Sequence, residues 1–323
     1  MSYYFFKFKT IITLLLIILL LIELIYLKSN VYLDNNSELN YNRKFSIMIK
    51  KNISTSGLME YYYYGIGCVF EQIKKGFIPI MDLSSHPNVF NGYINNSKIN
   101  PWEIFFKQPF GYSLKNIIKK AKFISFVYCG HSSFGPNFKV MFNPNLAKYW
   151  KKIANKYIPI KEEFYYEANF KYKYLFKGTN NVLGILIRGT DYIANRPAGH
   201  PKQPTPEMVF RDLEEMDLKY KYNYFFLTTE DDLIRKKFIS KYQDKLKYIQ
   251  SKINLNYNYN KKQLLALNNN LKGNIKYMKI YLINIIILSK CLDIITPKTG
   301  GSLVTFIISR GFRNIKIYCL GTY

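Results

Sequence analysis

The strongest constraint on the fold is an apolar strand that runs directly into a charged turn. Residues 182–187 read Val-Leu-Gly-Ile-Leu-Ile, and Arg188 and Asp191 follow within four residues. An apolar run of this kind indicates a strand covered on both faces, which is typical of a parallel sheet packed between helices. Ligands of such sheets bind beyond the carboxyl ends of the strands. The turn after this strand is therefore the first candidate site.

The alternation of strands and helices continues to the end of the chain. Thr205 is placed to cap a helix, with Pro206 at its first position and Glu207 in its first turn. The pattern predicts helices over 206–219, 275–291 and 303–310, and strands over 222–228, 246–250, 292–296 and 314–320. Such alternation implies right-handed crossovers and a parallel, Rossmann-like sheet.

The first half of the chain predicts a second α/β unit. Its predicted elements are strands over 45–49, 77–81 and 122–129, helices over 68–75 and 114–121, and an aromatic-rich helical connector over 149–174. Gly65 and Gly67 are interpreted as a loose turn before the first of these helices. Trp102, Phe105 and Phe106 either stack on a sugar ring or pack in the core.

Arg188 is the leading candidate for binding an anion. Its guanidinium group is always charged, and its planar fork of donors matches pairs of phosphate or carboxylate oxygens. The alternative is a salt bridge that closes the strand end. Asp191 can organise the turn or orient the fork.

Two further groups of polar residues follow later strands. Thr229 and Asp231 come after the predicted strand over 222–228, where Asp231 either caps a helix or contacts a nucleotide. The other group opens a late helix and consists of Thr299, Gly300, Gly301 and Ser302. Glycines let the backbone approach a ligand, and Ser302 adds a hydroxyl beside the amides of a helix start. The alternative is an ordinary Gly-Gly-Ser turn.

These motifs resemble those of the fucosyltransferase superfamily, which includes the α1,2-, α1,6-, nodulation and protein O-fucosyltransferases. Its first motif, R-x-G-x-D or H-x-R-R-x-D, is similar to residues 186–191. The resemblance implies that Arg188 binds the β-phosphate of GDP-fucose and that Asp191 helps to organise the site. It also implies that segment 229–231 contacts the base or ribose, and that segment 299–302 contacts the phosphates.

A bacterial branch of capsule-type glycosyltransferases shows a closer resemblance. Its motifs R-G-T-D-Y, G-H-P-x-Q-P-T and T-E-D occur here in that order at 188–192, 199–205 and 229–231. The likeness covers roughly residue 46 to the C-terminus. Leu186 replaces the motif histidine, and Gly189 stands where many members have a second arginine. The resemblance implies a GT-B-like plan, in which two Rossmann-like domains surround a cleft.

The chemistry expected at this site needs no metal ion. A fixed guanidinium group and helix-start amides can stabilise the charge on a departing diphosphate. The sheet region contains no Asp-x-Asp motif, and the three histidines are not paired at metal-ligand spacing. An acceptor hydroxyl also needs a base, for which Asp191 and His200 are the candidates. Each has an alternative, Asp191 as organiser of the turn and His200 as a loop residue bonded to the backbone.

The formal net charge of +26 raises the question of nucleic-acid binding. The excess is lysine spread along a chain rich in Asn, Ile and Tyr, with no compact basic block or nucleic-acid-binding motif. No nucleic-acid partner is expected, because a basic surface suits a nucleotide sugar, an acidic glycan or an anionic membrane equally well. The four cysteines are widely spaced, so buried reduced thiols are expected.

Residues 11–27 form the one apolar segment long enough to anchor the chain in a membrane. No small-residue cleavage site follows it, which favours an uncleaved single-pass anchor. The catalytic part is expected in the cytoplasm of a bacterium or in the Golgi lumen of a eukaryote. The predicted organisation is an N-terminal membrane anchor with a transmembrane helix over 1–29, a linker over 30–44, an acceptor-side α/β domain with its helical connector over 45–175, and a nucleotide-sugar-binding Rossmann-like domain over 176–323.

The sequence therefore predicts an inverting, metal-independent glycosyltransferase that transfers fucose from GDP-fucose to a glycan or glycolipid acceptor. Two alternatives remain open. One is transfer of a different sugar from another nucleotide sugar, and the other is a membrane-tethered protein that binds a nucleotide sugar without catalysis.

Overall fold

The computed structural model of the chain describes residues 39–49, 57–84, 100–129, 135–249 and 275–323, and only the backbone of Asp191. The predicted anchor over 1–29 and most of the predicted linker over 30–44 lie outside the described residues. Within these ranges, no helix combines the length and the apolar character that a membrane crossing needs.

Three parallel strands form the sheet of the first half. They are β1 (Lys44–Ile49), β2 (Ile78–Asp82) and β3 (Phe123–Tyr128), in the order β2-β1-β3. Three helices accompany them: α1 (Leu58–Lys74), α2 (Trp102–Phe105) and α3 (Leu114–Lys120). The 3-10 turn Pro109–Gly111 precedes α3, and the Ser113 hydroxyl caps α3 by accepting the backbone N–H of Asn116 at 3.3 Å.

Helix α1 includes the residues that the sequence pattern assigned to a loose turn. The helix begins at Leu58, and Gly65 and Gly67 lie buried inside it. A Cβ atom at Gly65 would lie 2.8 Å from the Trp102 ring, so this glycine is needed for close packing rather than for a turn. Trp102, Phe105 and Phe106 are all fully buried, which confirms the core alternative for these three aromatics.

The predicted helical connector over 149–174 consists of two helices. These are α4 (Pro144–Tyr157) and α5 (Glu162–Phe176), preceded by the 3-10 turn Phe138–Phe142. The Asn143 side chain caps α4 by accepting the backbone N–H groups of Asn145 and Leu146 at 3.0 and 3.1 Å. Such a cap satisfies amides that have no partner within the helix.

Five parallel strands form the second sheet. They are β4 (Val182–Leu186), β5 (Tyr224–Thr228), β6 (Leu246–Lys247), β7 (Asp293–Pro297) and β8 (Ile315–Tyr318), in the order β6-β5-β4-β7-β8. The described helices of this half are α6 (Thr190–Ala194), α7 (Pro206–Tyr220), α8 (Asp232–Tyr242), α9 (Ile275–Leu288) and α10 (Gly300–Ile308). The 3-10 turn Gln243–Lys245 leads into β6. The prediction of an α/β fold with parallel sheets is confirmed.

The two halves share one hydrophobic core. Its largest cluster joins Met48 of β1 and Ile66 of α1 with Leu186 of β4, Ile286 of α9 and Val304 of α10. A second cluster covers the other face of the five-stranded sheet beneath α7 and α8, and a third lies between β1, β2 and α3. The α10 helix contacts α1, α4 and α9.

The expectation of reduced thiols is wrong for two of the four cysteines. Cys68 of α1 and Cys129, directly after β3, form a disulfide, whereas Cys291 and Cys319 are free. The two bonded cysteines are 61 residues apart in sequence, so their proximity depends on the packing of α1 against the sheet.

Candidate active site

The candidate site lies where the order of the five-stranded sheet reverses. From the central strand β4 the chain first builds β5 and β6 on one side and then β7 and β8 on the other. The loops that leave β4 and β7 therefore diverge, and a crevice opens beyond the carboxyl ends of these two strands. The turns at 187–190 and 298–300 lie at this edge.

Arg188 forms an ion pair, and its partner is Glu230. The Nε–H of Arg188 donates to Oε1 of Glu230 at 2.7 Å. The same oxygen accepts the backbone N–H of Gly189 at 3.0 Å and the hydroxyl of Thr190 at 3.2 Å. The Glu230 side chain is 8% exposed and that of Arg188 is 20% exposed. The contact with Glu230 uses one of the five N–H donors of the guanidinium group.

Asp231 joins the Arg188 turn to helix α8. One carboxylate oxygen accepts the backbone N–H of Thr190 at 2.9 Å, and the other accepts those of Leu233 and Ile234 at 2.9 and 3.1 Å. Asp231 is 1% exposed, so its carboxylate holds protein backbone on both sides. The helix-cap alternative is therefore observed, and a contact between Asp231 and a nucleotide stays a prediction.

The structure explains why glycine occupies position 189. A Cβ atom at Gly189 would overlap the carboxylate of Asp231. The next residue, Thr190, has φ +41°, a left-handed conformation that its contacts with Glu230 and Asp231 stabilise. A second arginine at position 189 is incompatible with this arrangement of the turn.

An aromatic side chain lies against the Arg188 guanidinium group. The central carbon of the group lies 4.7 Å from the centre of the Tyr192 ring, which is within the range of a cation–π contact. The Tyr192 hydroxyl lies 3.4 Å from Nδ1 of His200. His200 is exposed, and its backbone N–H and C=O bind Pro197 and Tyr323. His200 therefore lies at the rim of the site, beyond Tyr192.

The turn after β7 begins helix α10. The Thr299 hydroxyl caps the helix by accepting the backbone N–H of Ser302 at 3.2 Å. The Ser302 hydroxyl is fully buried, and it bonds to the hydroxyls of Thr296 and Thr299 at 2.6 and 2.8 Å. Ser302 thus fixes the turn from inside. The first amides of α10, at Gly300 and Gly301, have no acceptor within the helix.

Two tyrosines pack directly on this glycine turn. A Cβ atom at Gly300 would lie 3.2 Å from Cε1 of Tyr63, and one at Gly301 would overlap the hydroxyl of Tyr281. The glycines therefore admit two phenol rings, one from α1 and one from α9. Burial raises the pKa of Tyr281 to about 12, the Arg188 charge opposes this shift, and Glu230 adds to it. The Tyr281 hydroxyl thus stays protonated near the ion pair.

Helix α1 also contributes to the site, because it packs against the start of α10. Burial raises the pKa of Tyr63, and Tyr64, Glu60 and Tyr192 raise it further. Tyr63 packs beside Gly300, so the start of α1 adjoins the turn that begins α10. Side chains from both halves of the chain therefore line the site.

The structure brings most of the predicted site residues to one edge. Arg188, Thr229, Asp231 and the segment 299–302 all lie there, and the Thr229 hydroxyl accepts the backbone N–H of Asp231 at 3.2 Å. The side chain of Asp191 lies outside the described part of the structure. Within the described residues, no group of three or more His, Cys, Asp or Glu side chains is placed to hold a metal ion.

Sequence reasoning missed four residues of this site: Glu230, Tyr192, Tyr63 and Tyr281. Glu230 and Tyr192 fall inside motifs that were singled out, but the partner of Arg188 was sought within its own turn. Tyr281 lies on an apolar helix, where nothing in the sequence distinguishes it from core aromatics.

Neither a protein-family model nor a curated protein sequence matches the chain. Solved structures do match. NodZ fucosyltransferase from Bradyrhizobium has 10% identity and a TM-score of 0.48, with 83% of this chain and 94% of NodZ covered. POFUT1 in complex with GDP has 9% identity and a TM-score of 0.48, with 87% and 99% covered. FUT1 of Arabidopsis thaliana in complex with GDP has 10% identity and a TM-score of 0.42, with 90% and 73% covered.

The identity of these structures to this chain is near one residue in ten, and each TM-score is below 0.5. Overlaps of this size carry no argument about activity, so the functional proposal depends on the residues of the site.

Proposed function

We propose that the chain is a glycosyltransferase that transfers fucose from GDP-fucose to a glycan or glycolipid, by an inverting and metal-independent reaction. The observation that carries the proposal is the Arg188 guanidinium group, which Glu230 and Tyr192 hold at the point where the sheet order reverses. The start of helix α10 faces the same crevice. The choice of fucose and GDP rests on the resemblance of the sequence motifs, and of their order, to those of the fucosyltransferase superfamily.

The chemistry follows from where charge develops. When the bond between fucose and the diphosphate breaks, negative charge grows on the departing oxygen. Arg188 is the cation that we assign to the β-phosphate, and the amides of Gly300 and Gly301 add the positive end of a helix dipole. Because Glu230 fixes one edge of the guanidinium group, the cation needs little rearrangement during the reaction.

Two residues, Asp191 and His200, are candidates for the base that activates the acceptor hydroxyl. Asp191 stands at the start of α6, beside the Arg188 turn, and His200 lies at the rim behind Tyr192. We propose Asp191 first as the residue that shapes the turn. The His200 ring is exposed and can meet an acceptor that enters from solvent.

We propose that residues 11–27 anchor the chain in a membrane and that the catalytic part occupies an oxidising compartment. The apolar sequence of this segment supports the first statement. The Cys68–Cys129 disulfide supports the second, because such bonds persist in secretory compartments and are rare in the cytosol. Of the two expected locations, the disulfide favours the Golgi lumen.

Two alternatives keep specific support. Leu186 and Gly189 stand where the family motifs have a histidine and a second arginine, so Arg188 and the start of α10 suit a protein that binds a nucleotide sugar without transferring the sugar. The same residues can also bind the diphosphate of a nucleotide sugar other than GDP-fucose.

The test uses the full chain in detergent micelles. We expect GDP to bind more tightly than UDP and GDP-fucose to be hydrolysed slowly without an acceptor. Arg188→Lys retains the charge but loses the fork, so turnover should fall by roughly ten- to a hundredfold, as expected for a charge-assisted contact of about 1.5–3 kcal/mol. Arg196→Lys, at an exposed cation of the same loop, is the matched control.

Three outcomes would overturn parts of the proposal. Tight binding of UDP without binding of GDP would remove fucose as the donor sugar. Unchanged GDP binding and turnover in Arg188→Lys would remove Arg188 from the site. Binding without hydrolysis or transfer across a broad acceptor panel would favour the non-catalytic alternative.

A further inference from the structure

Helix α5 has two opposite apolar faces, and the described part of the fold covers one of them. Four residues, each at most 8% exposed, pack its inner face into the core: Phe164, Ala168, Tyr172 and Phe176. The outer face carries Tyr166, Phe170 and Tyr174, which are 72%, 73% and 78% exposed. A surface helix ordinarily turns polar residues toward solvent, so three large aromatic side chains in one outward row indicate an interaction surface.

Charged residues flank the aromatic row, with opposite signs at its two ends. We call the outer side of the helix the α5 face, and with Lys177, directly after the last turn, its exposed residues are Glu163, Tyr166, Glu167, Phe170, Lys173, Tyr174 and Lys177. An α-helix turns by roughly 100° per residue, so all seven lie within about 60° of Phe170 around the axis. The face holds two glutamates and two lysines and is formally neutral, on a chain whose net charge is +26.

The sequence of the α5 face is symmetric about Phe170, except that the sign of the charge is exchanged. Three pairs lie at equal distances before and after Phe170: Tyr166 and Tyr174 at four residues, Glu167 and Lys173 at three, and Glu163 and Lys177 at seven. In an antiparallel pair of helices related by a twofold axis at Phe170, each residue meets its symmetric counterpart from the other copy. Every glutamate then lies opposite a lysine, and every tyrosine opposite a tyrosine, around a central contact of the two Phe170 rings.

The charges of the α5 face select one partner and one orientation. A parallel pair of α5 helices would bring glutamate against glutamate and lysine against lysine, which costs free energy. An anionic membrane or a nucleic acid would attract the two lysines of the face and repel its two glutamates. A second copy of the same face, in the antiparallel orientation, matches all four charges.

Most of the neighbouring charges are already paired within the chain. Nζ of Lys171 lies 3.5 Å from Oε1 of Glu167 on the same helix. At the amino end, Nζ of Lys107 lies 2.8 Å from Oε1 of Glu162, and Lys161 adds one further cation. These neighbours therefore leave the balance of charge on the α5 face nearly unchanged.

The aromatic area of the α5 face is large enough for a dimer of modest affinity. A buried aromatic side chain removes roughly 150–250 Å² of surface from water. Three such side chains from each copy, each about three-quarters exposed, bring the contact close to the roughly 1,000 Å² that a specific interface needs.

We propose that the chain forms a homodimer in which the α5 faces of two copies pack antiparallel around a twofold axis at Phe170. The proposal is independent of the proposed sugar transfer and of the proposed membrane anchor. Helix α9, which carries Tyr281 of the candidate site, packs against α5, so the dimer contact lies one helix away from the site of each copy.

The first test exchanges the charges of the α5 face in the full chain in detergent micelles. The double variant E163K with E167K makes the face wholly basic, and the double variant K173E with K177E makes it wholly acidic. Sedimentation equilibrium measures the protein mass of each variant alone and of an equal mixture of the two. The matched control is E214K with E215K, which makes the same change of charge on the exposed side of α7.

We expect the wild type and the α7 control to be dimers at micromolar concentration. In each α5 double variant alone, like charges face each other, so the dissociation constant should rise by about a hundredfold. The equal mixture should again form dimers, because a basic face then meets an acidic one. A monomeric wild type, or double variants that dimerise alone as tightly as the wild type does, would overturn the proposal.

The second test measures the register of the two helices. In Phe170→Cys, combined with Cys319→Ser to remove the exposed free thiol, the two new thiols meet at the twofold axis. Mild oxidation should therefore link two chains through position 170. Leu218→Cys in the same background is the matched control, because Leu218 is 72% exposed on α7. Cross-linking at position 170 should be at least several-fold faster than at position 218, and equal rates would overturn the antiparallel arrangement.

Discussion

The five-stranded sheet carries an arginine paired with a buried carboxylate at each end, and the two pairs are built differently. At the amino end of β7, Arg313 donates through Nε to Oδ1 of Asp293 at 3.2 Å and through Nη2 to Oδ2 at 2.6 Å. At the carboxyl end of β4, Arg188 donates through Nε to Oε1 of Glu230 at 2.7 Å. The contact between Arg313 and Asp293 uses two N–H donors of the guanidinium group, and the contact between Arg188 and Glu230 uses one.

The difference teaches what each pair is suited to. The Asp293 carboxylate is fully buried, and it also accepts the backbone N–H of Asn314 at 2.8 Å and the hydroxyl of Tyr222. Its oxygens are committed to protein, so the pair stabilises the fold. In the Glu230 carboxylate, a single oxygen accepts from Arg188, Gly189 and Thr190. This contact holds one side of the Arg188 guanidinium group at the crevice. A pair of this kind orients a charge for a ligand.

The largest expected effect breaks the stabilising pair. Asp293→Ala leaves Arg313, Tyr222 and Asn314 without their acceptor, so the free energy of unfolding should fall by about 3 kcal/mol, the lower end for a buried pair because Arg313 is 42% exposed. Urea unfolding measures the loss, and the exposed Asp244→Asn is the control. GDP affinity of the folded variant should stay unchanged. A large loss of GDP affinity in a variant that is still folded would contradict the separate roles of the two pairs.

A slightly smaller effect is expected at the turn that carries the other pair. In Gly189→Ala the new methyl group meets the Asp231 carboxylate, which three backbone amides hold in place. We expect a loss of about 2 kcal/mol in unfolding free energy, as for overpacking of a rigid site. In Gly184→Ala the nearest atoms are Cδ2 of Leu288 at 3.0 Å and Cβ of Cys291 at 3.1 Å, contacts that a shift of a few tenths of an ångström relieves. An equal or larger loss for Gly184→Ala would contradict this interpretation of the turn.

The third prediction tests the orienting pair through kinetics. In Glu230→Gln an amide oxygen still accepts from Arg188, Gly189 and Thr190, but the charge that fixes the guanidinium group is gone. We expect kcat to fall roughly tenfold, which corresponds to about 1.4 kcal/mol, while GDP binds as well as before or better. The exposed Glu215→Gln serves as the control. A loss of GDP affinity with unchanged kcat would assign Glu230 to ligand binding instead.

The smallest effect is a dependence on acid. Burial raises the pKa of Asp293, but hydrogen bonds from Arg313, Tyr222 and Asn314 outweigh burial, so the net pKa is lowered. A lowered pKa stabilises the fold above the unfolded value of about 3.9, and this contribution is lost as pH falls through the folded pKa. Between pH 6 and pH 2, the wild type should lose more unfolding free energy than Asp293→Asn does. Parallel pH curves for the two proteins would show that Asp293 does not contribute.

Much of the architecture was accessible from the sequence because buried parallel strands have a simple signature. The apolar runs before Arg188 and Thr229 predicted β4 and β5, and Thr205 marks the start of α7. Helix α10 begins at Gly300, three residues before the predicted helix over 303–310. The partner of Arg188 was not accessible, because it depends on register. Leu186 pairs with Thr228, which sets the residues two positions beyond each, Arg188 and Glu230, side by side.

Two errors share one cause, which is that local patterns do not report packing between distant segments. Gly65 resembles a turn residue, yet it lies inside α1, where the absence of a side chain leaves room for the Trp102 ring. Cys68 and Cys129 show no motif spacing, yet the packing of α1 on the sheet brings them together. Both cases involve residues that meet only after the chain has folded.

The hydrophobic cluster that joins both halves has a consequence for how the molecule behaves as a whole. Leu186 beside the site, Ile66 of α1 and Val304 of α10 belong to one continuous interior. Neither half can be cut away without exposing that interior to water, so the two sheets should melt in a single transition and fail to fold when expressed separately. The crevice is then a fixed feature of one folding unit, and a nucleotide would enter a site already assembled.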